Sequence, residues 1–188
     1  KKKPVENGLS AAGKKLIVIT GANQGGKSTF LRSIGLAQLM MQCGLFVAAN
    51  NFQSGLCDQI FTHFIREEDI RMDSGKLDEE LLRMSRLADH LESGALMLFN
   101  ESFAVTNERE GSEICRQITQ ALIENGVEVF SVTHLDVFAE AFLEDRRTQY
   151  LRAQRLENGE RTFKIIPGEP LRTAYGEDLY RQIFATAK

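Results

Sequence analysis

The residues Gly21-Ala22-Asn23-Gln24-Gly25-Gly26-Lys27-Ser28 match the phosphate-binding pattern of Gly, four residues, Gly, Lys and then Ser or Thr. The apolar run from Leu16 to Ile19 precedes this motif, and a stretch with helical periodicity follows it. Glycines let successive backbone N–H groups converge on an anion, and the N-terminus of the next helix adds partial positive charge there. The motif therefore predicts a strand, a phosphate-binding loop (P-loop) and a helix in succession.

The ligand predicted from this motif is ATP or ADP with Mg²⁺. Lys27 would reach the β and γ phosphates as a mobile point charge, and the hydroxyl of Ser28 would ligate the metal. The predicted nucleotide-binding residues are Gly21, Ala22, Asn23, Gln24, Gly25, Gly26, Lys27, Ser28 and Thr29.

Composition limits the class of protein. A chain of 188 residues with 43% hydrophobic residues can form one domain around a single core. Its net charge of −3 argues against nucleic-acid or membrane binding by this chain alone. The widely spaced Cys43, Cys57 and Cys115 indicate a reducing compartment and are predicted to be buried. Since we find no signal-peptide pattern and no uninterrupted apolar span, we expect a soluble cytoplasmic protein.

Apolar runs of strand length alternate with amphipathic stretches along the chain, which predicts a doubly wound α/β domain with a central sheet flanked by helices. A C-terminal β-hairpin around Asn158-Gly159 and a last helix should follow. The lysine-rich residues 1–15 are predicted to be a solvated, partly frayed lead-in. Helices are predicted over 27–43, 77–91, 111–124 and 177–187, strands over 46–49, 59–62, 95–99 and 127–132, and the hairpin over 147–156 and 161–166.

Hydrolysis needs a second polar element beside the P-loop. The strand predicted over 95–99 delivers Asn100 and Glu101 to the edge of the sheet where ligands of open α/β sheets bind. Glu101 is the best candidate for the general base, and Asn100 would orient metal-bound water, although most P-loop ATPases have Asp there. His134 follows the next strand and could hydrogen-bond the γ-phosphate or the attacking water. His63 and His90 are predicted to be structural or solvated.

These residues together resemble the ATPase domain of MutS-family DNA mismatch-repair proteins. The stretch from Thr20 to Thr29 is similar to that family's variant of the P-loop, with its Asn and paired Gly. The segment that leads to the family's signature region is similar to Ile60-Phe61-Thr62, followed later by Ser74-Gly75-Lys76. The family's switch histidine and its neighbours are similar to Ser131-Val132-Thr133-His134. The residues before the family's last helix are similar to Tyr175-Gly176.

The resemblance implies a relative of the ABC-type ATPases that works as a homodimer. Each composite ATP site would take Ser74 and Gly75 in trans from the other subunit. DNA would be bound through domains upstream of Lys1, so that residues 1–188 would be the ATPase domain of a longer chain. That domain would couple its nucleotide cycle to mismatched or branched DNA.

Three departures from the family pattern are Asn100 for the usual Asp, Ala22 for the common Pro, and a sequence after Gly75 that lacks hydroxyl residues. They indicate a slow Mg²⁺-dependent ATPase of a divergent branch. One alternative is a nucleotide-binding dimerisation or regulatory module with little turnover. Another is an ABC-related ATPase of a different type, which would normally carry a Leu-Ser-Gly-Gly-Gln signature that this sequence lacks.

Overall fold

The structure, a computed structural model, describes residues 4–65, 75–171 and 175–185. Strands and helices alternate through most of the chain. The strands are β1 (Leu16–Gly21), β2 (Ile60–Phe64), β3 (Leu96–Asn100), β4 (Glu128–Val132), β5 (Thr148–Arg155) and β6 (Arg161–Pro167). The helices are α1 (Lys27–Gln42), α2 (Lys76–Ala88), α3 (Glu108–Glu124), α4 (Asp136–Glu140) and α5 (Gly176–Ala185).

The six strands form one sheet in the order β2-β3-β4-β1-β5-β6. All neighbouring strands are parallel except β5 and β6, which pair antiparallel. Strand β1 therefore lies inside the sheet, between β4 and β5. Because β1, β3 and β4 run in the same direction, their carboxyl ends meet at one edge, and Asn100 pairs directly with Val132 there.

Both faces of the sheet are covered. Leu16 and Val18 of β1 belong to a core cluster that includes residues of α2, α3 and α4, whereas Ile17 and Ile19 belong to a second cluster with α1. This separation follows from the strand's period of two, which sends alternate side chains to opposite faces. The predicted α/β architecture, a central sheet flanked by helices, is confirmed.

The predicted hairpin and last helix are also present, and a salt-bridge cluster joins them. The carboxylate of Asp178 in α5 accepts two hydrogen bonds from the guanidinium of Arg155, at 2.6 and 2.8 Å, and another from Arg161. These guanidinium groups lower the pKa of Asp178, with the hydrogen bonds from Arg155 as the largest cause. Helix α5 is thereby anchored to β5 and β6.

The predicted strand at 46–49 is wrong. These residues lie in the loop between α1 and β2, where Phe46 is 84% exposed. Side chains of α1 form hydrogen bonds with the backbone of a later part of this loop, at Gly55 and Cys57. Gln42 accepts the N–H of Cys57 at 2.8 Å and donates to its carbonyl at 3.1 Å, and Gln38 donates to the carbonyl of Gly55 at 2.8 Å.

A few residues of the lead-in contact the rest of the fold. The side chain of Asn7 donates to the carbonyl of Phe163 at 3.0 Å and accepts the N–H of Ile165 at 2.7 Å. Leu9 and Ala11 pack against the core cluster that contains α1. Most residues of 4–15 are exposed and none is buried, which agrees with the predicted solvated lead-in, while Asn7, Leu9 and Ala11 attach this segment to the rest of the fold.

Smaller differences concern the cysteines and the helix ends. Cys115 is buried, but Cys43 is exposed at the C-terminus of α1 and Cys57 is half-buried, so the prediction of three buried cysteines is wrong for these two. Helix α3 begins three residues before the predicted start because the side chain of Asn107 accepts the N–H of Glu110 and caps the helix. Within the three described ranges, every helix is too short or too polar to traverse a lipid bilayer.

Candidate functional site

Three residues of the loop between β1 and α1 have left-handed backbones. Gly21 and Gly26 have φ values of 99° and 92°, and Gln24 adopts a φ of 59°. Gly26 is the N-cap residue of α1 and makes no side-chain capping hydrogen bond. The first N–H groups of α1 thus lack a side-chain acceptor from this cap, and a helix start of this kind is suited to binding an anion.

Strand β5 packs closely behind this loop. A Cβ atom at Gly25 would lie 2.6 Å from the Cβ of Ala153 and 2.8 Å from the carbonyl oxygen of Ala22. A Cβ at Gly21 would lie 2.9 Å from the backbone nitrogen of Ala153. Glycine at these two positions is what lets the loop lie against β5.

Lys27 is folded into the loop and is only 6% exposed. Its ammonium donates to the carbonyl oxygen of Gly21 at 2.9 Å and to that of Ala22 at 3.2 Å. Burial lowers the pKa of Lys27, and the negative charge of Glu101 acts in the opposite direction. A charged group is therefore held among carbonyl oxygens, next to the uncapped start of α1.

The ends of β3 and β4 bring Glu101 and His134 together. The N–H of Glu101 donates to the carbonyl of Val132 at 2.8 Å, which ties the turn after β3 to β4. Nδ1 of His134 forms a very short contact with a carboxylate oxygen of Glu101. This hydrogen bond raises the pKa of His134, against the effect of burial. The two predicted catalytic residues form one hydrogen-bonded pair.

The turn that carries Glu101 is conformationally strained. Both Glu101 and Phe103 have left-handed backbones, with φ values of 56° and 61°. This region costs a residue other than glycine about 1 to 2 kcal/mol, so surrounding contacts must hold the turn in place. Local residue types do not indicate this strain, because neither Glu nor Phe favours a left-handed conformation.

Two buried oxygen atoms at this edge of the sheet are left without a hydrogen-bond partner in the described part of the chain. They are Oδ1 of Asn100, at the end of β3, and Oγ1 of Thr20, near the end of β1. Buried polar atoms usually have partners, so such atoms suit a site that water or a ligand completes. Among the described residues, no group of three or more His, Cys, Asp or Glu could hold a metal ion alone. This sparse donor set fits Mg²⁺, which commonly uses one or two protein ligands together with phosphate oxygens and water.

The residues predicted to act in trans are only partly described. Ser74 lies outside the described residues. Gly75 is exposed and is the N-cap residue of α2, with an extended backbone. Among the described residues, the nearest atom to a Cβ placed at this position would be Oδ2 of Asp78, at 3.8 Å.

Sequence reasoning missed two residues of β6 that border the loop. The guanidinium of Arg161 donates to the carbonyl of Asn23 at 3.3 Å. Phe163 is half-exposed, has a φ of 60°, and lies 3.7 Å from the position of a Cβ at Gly26. No local signal points to either contact, since both depend on how the hairpin folds back across β5.

The sequence model of the family described as MutS domain V matches residues 17–168. The chain belongs to the MutS family. The matched region of this MutS-family chain contains the loop from Gly21 to Thr29 as well as Asn100, Glu101 and His134.

Individual MutS-family relatives agree with this assignment. Endonuclease MutS2 of Thermus thermophilus is 30% identical over 161 residues, which cover 85% of this chain and 22% of that protein. MutS protein homolog 4 of Homo sapiens is 32% identical over 143 residues, covering 76% of this chain and 14% of the relative. DNA mismatch repair protein MutS of Synechococcus elongatus is 35% identical over 113 residues, which cover 60% of this chain and 13% of that protein. The chain thus spans less than a quarter of the length of these relatives.

Proposed function

We propose that this chain is the ATP-binding and ATP-hydrolysing domain of a MutS-like DNA repair protein, with the P-loop NTPase fold of the ABC-ATPase relatives. The observation that carries the proposal is the buried Lys27 at the uncapped start of α1, together with the pair formed by Glu101 and His134 at the same edge of the sheet. In the whole protein, the nucleotide cycle would drive binding of mismatched or branched DNA through other domains. The proposed compartment is the cytoplasm.

Binding of the phosphates rests on the loop. The N–H groups at the start of α1 would donate to phosphate oxygens, and residues Gly21 to Thr29 would surround the phosphate chain. Lys27 would exchange its two loop carbonyl acceptors for phosphate oxygens, which form stronger, charge-assisted hydrogen bonds. Burial of the ammonium supports this exchange, because few water molecules compete for it.

Ser28 and Asn100 are the residues that would hold Mg²⁺, Ser28 through its hydroxyl and Asn100 through Oδ1, directly or through water. The unpartnered Oδ1 of Asn100 supports this assignment. Bound Mg²⁺ would supply positive charge to the phosphate oxygens.

Glu101 would remove the proton from the water that attacks the γ-phosphate, giving ADP and inorganic phosphate. His134 would keep the carboxylate of Glu101 oriented through their hydrogen bond. This assignment refines the expectation that His134 bonds the γ-phosphate or the water directly.

The direct test is to measure Mg-ATP binding to this chain by calorimetry and phosphate release at saturating Mg-ATP. We expect both binding and release. If the chain neither binds nor hydrolyses ATP, the proposal is wrong. Binding without release would favour a nucleotide-binding dimerisation or regulatory module with little turnover, which the uncharged Asn100 also favours.

Asn100→Asp tests the proposed metal site. A carboxylate at this position should tighten Mg²⁺-dependent nucleotide binding or raise turnover by about tenfold to a hundredfold, the range found when such metal partners are altered. A Mg²⁺ titration at fixed ATP concentration measures the effect. Asn50→Asp in the exposed loop after α1 adds the same charge away from the site and serves as the control. A weaker or unchanged response for Asn100→Asp would mean that the metal site is adapted to Asn.

Assembly gives a further prediction. We propose a homodimer in which Ser74 and Gly75 of one copy face the nucleotide of the other. With hydrolysis blocked by Glu101→Gln, Mg-ATP should shift the chain from monomer toward dimer in analytical ultracentrifugation. Gly75→Phe should prevent this shift, because Gly75 is exposed at the start of α2. Gly55→Phe, at another exposed and open glycine, should not. If the dimer forms equally well with Gly75→Phe, Gly75 does not contribute to the dimer interface.

A further inference from the structure

A buried polar cluster lies directly behind the turn that carries Glu101, and the proposed nucleotide chemistry does not use it. It consists of His63 on β2, Glu80 and Arg83 on α2, and Ser102 in the turn. His63 is fully buried, Ser102 is 3% exposed and Glu80 is 7% exposed. Ser102, which directly follows Glu101, is thus connected to an element outside the P-loop.

Hydrogen bonds through His63 fix the position of Ser102. The guanidinium of Arg83, which can only donate, lies 3.1 Å from Nε2 of His63. Nε2 also lies 3.3 Å from the carbonyl oxygen of Glu80. Nδ1 of His63 lies 2.8 Å from Oγ of Ser102 and donates to it, because the hydroxyl proton of Ser102 is directed elsewhere. The hydroxyl of Ser102 in turn donates to the backbone carbonyl of His63 at 2.8 Å. Ser102 is thus joined to β2 by two hydrogen bonds.

Glu80 fixes the other end of the turn. Its carboxylate accepts the backbone N–H of Phe103 at 3.1 Å, and the ring of Phe103 stacks on His63 with 5.2 Å between centroids. Phe103 is fully buried and has one of the two left-handed backbones in this turn. A buried carboxylate is costly to desolvate, but it is a stronger acceptor for a backbone N–H than a neutral group.

We propose that Glu80 and Ser102 are positioning residues for Glu101. With His63, they hold the turn of Glu101, Ser102 and Phe103 in its left-handed conformation, so that the carboxylate of Glu101 stays against His134. Neither residue touches the nucleotide loop in this role. The inference rests on the proposed function of Glu101 as the base, and it adds that β2 and α2 determine where that base lies.

The test compares Glu80→Ala and Ser102→Ala with the wild-type chain. Each should lower kcat for ATP hydrolysis by roughly tenfold to a hundredfold, the loss expected when a catalytic group is misplaced by about an ångström. The KM for ATP and the affinity for ADP should stay within about twofold, because the phosphate loop is unchanged. Glu80→Gln should restore most of the activity, since its amide oxygen still accepts the N–H of Phe103. Glu79→Gln, on the same turn of α2, is the matched control.

Thermal unfolding of each variant separates positioning from loss of fold. If Glu80→Ala fails to fold, Ser102→Ala decides the question, because it removes only one hydroxyl group. The inference is overturned if folded variants keep kcat within twofold of wild type while Glu101→Gln is inactive. It is also overturned if Glu80→Gln loses as much activity as Glu80→Ala.

A double-mutant cycle adds a readout that general destabilisation would not give. In single-turnover measurements, Glu80→Ala should not reduce the residual rate of Glu101→Gln any further, because the group that it positions is already missing. Additive losses would overturn the inference and leave the proposed function intact. If Glu101→Gln hydrolyses ATP as fast as the wild-type chain, the proposed base is wrong and this inference falls with it.

Discussion

Replacing Glu101 by Gln is expected to reduce ATP hydrolysis by a factor of about 10² to 10⁴, the range that a positioned general base contributes. Gln keeps the size of the side chain but cannot accept a proton from water, and the phosphate loop is unaltered. Calorimetry should therefore give an ATP affinity close to that of the wild-type chain, while phosphate release at saturating Mg-ATP should almost vanish.

The state of His134 gives a second readout of the same substitution. Its hydrogen bond to the carboxylate of Glu101 raises the pKa of His134 in the wild-type chain. In Glu101→Gln, an NMR titration should show this pKa moving down toward the ordinary value for histidine. Glu157→Gln, in the exposed hairpin turn, should change neither turnover nor the titration. Turnover that survives Glu101→Gln would show that another group is the base.

Replacing Lys27 by Ala is expected to abolish measurable nucleotide binding. Hydrogen bonds to charged groups contribute about 1.5 to 3 kcal/mol each, and about 1.4 kcal/mol corresponds to a factor of ten in affinity. Loss of the ammonium from the phosphates should therefore weaken binding by at least about tenfold to a hundredfold. Calorimetry with ADP and with a non-hydrolysable ATP analogue measures the loss.

Two further variants make this result specific. Lys27→Met keeps the aliphatic stem of the side chain in its buried position and removes only the charge, so it should lose binding while the chain stays folded. Lys15→Ala removes a lysine that forms an exposed ion pair with Glu128 at 3.2 Å, and it should bind nucleotide normally. Unchanged affinity in folded Lys27→Met would refute the assignment of the loop.

Much of the fold could be predicted from local sequence. The strand and loop before Lys27 and the hairpin around Asn158-Gly159 are encoded within short windows, by glycines and by apolar periodicity. The sequence predicts that Glu101 and His134 each follow a buried strand, at the edge of the sheet where ligands bind. Their direct contact also requires β3 and β4 to be neighbours, and local sequence does not encode that strand order.

Features that depend on distant partners could not be predicted. The apolar run at 46–49 resembles a strand, but it lies in an exposed loop that Gln38 and Gln42 of α1 hold at Gly55 and Cys57. His63 is predicted only to be structural or solvated, and nothing near it in sequence indicates its link to Ser102, 39 residues away. Such contacts arise only when the helices pack on the sheet.

The side chain of Asn7 has a consequence for association between molecules. Strand β6 is an edge strand of the sheet. An edge strand exposes unpaired N–H and carbonyl groups, and another chain can pair with them as an additional strand. Asn7 occupies the N–H of Ile165 and the carbonyl of Phe163 with one amide, which imitates the pairing that a neighbouring strand would make. The segment before β1 thereby protects this border against edge-to-edge aggregation.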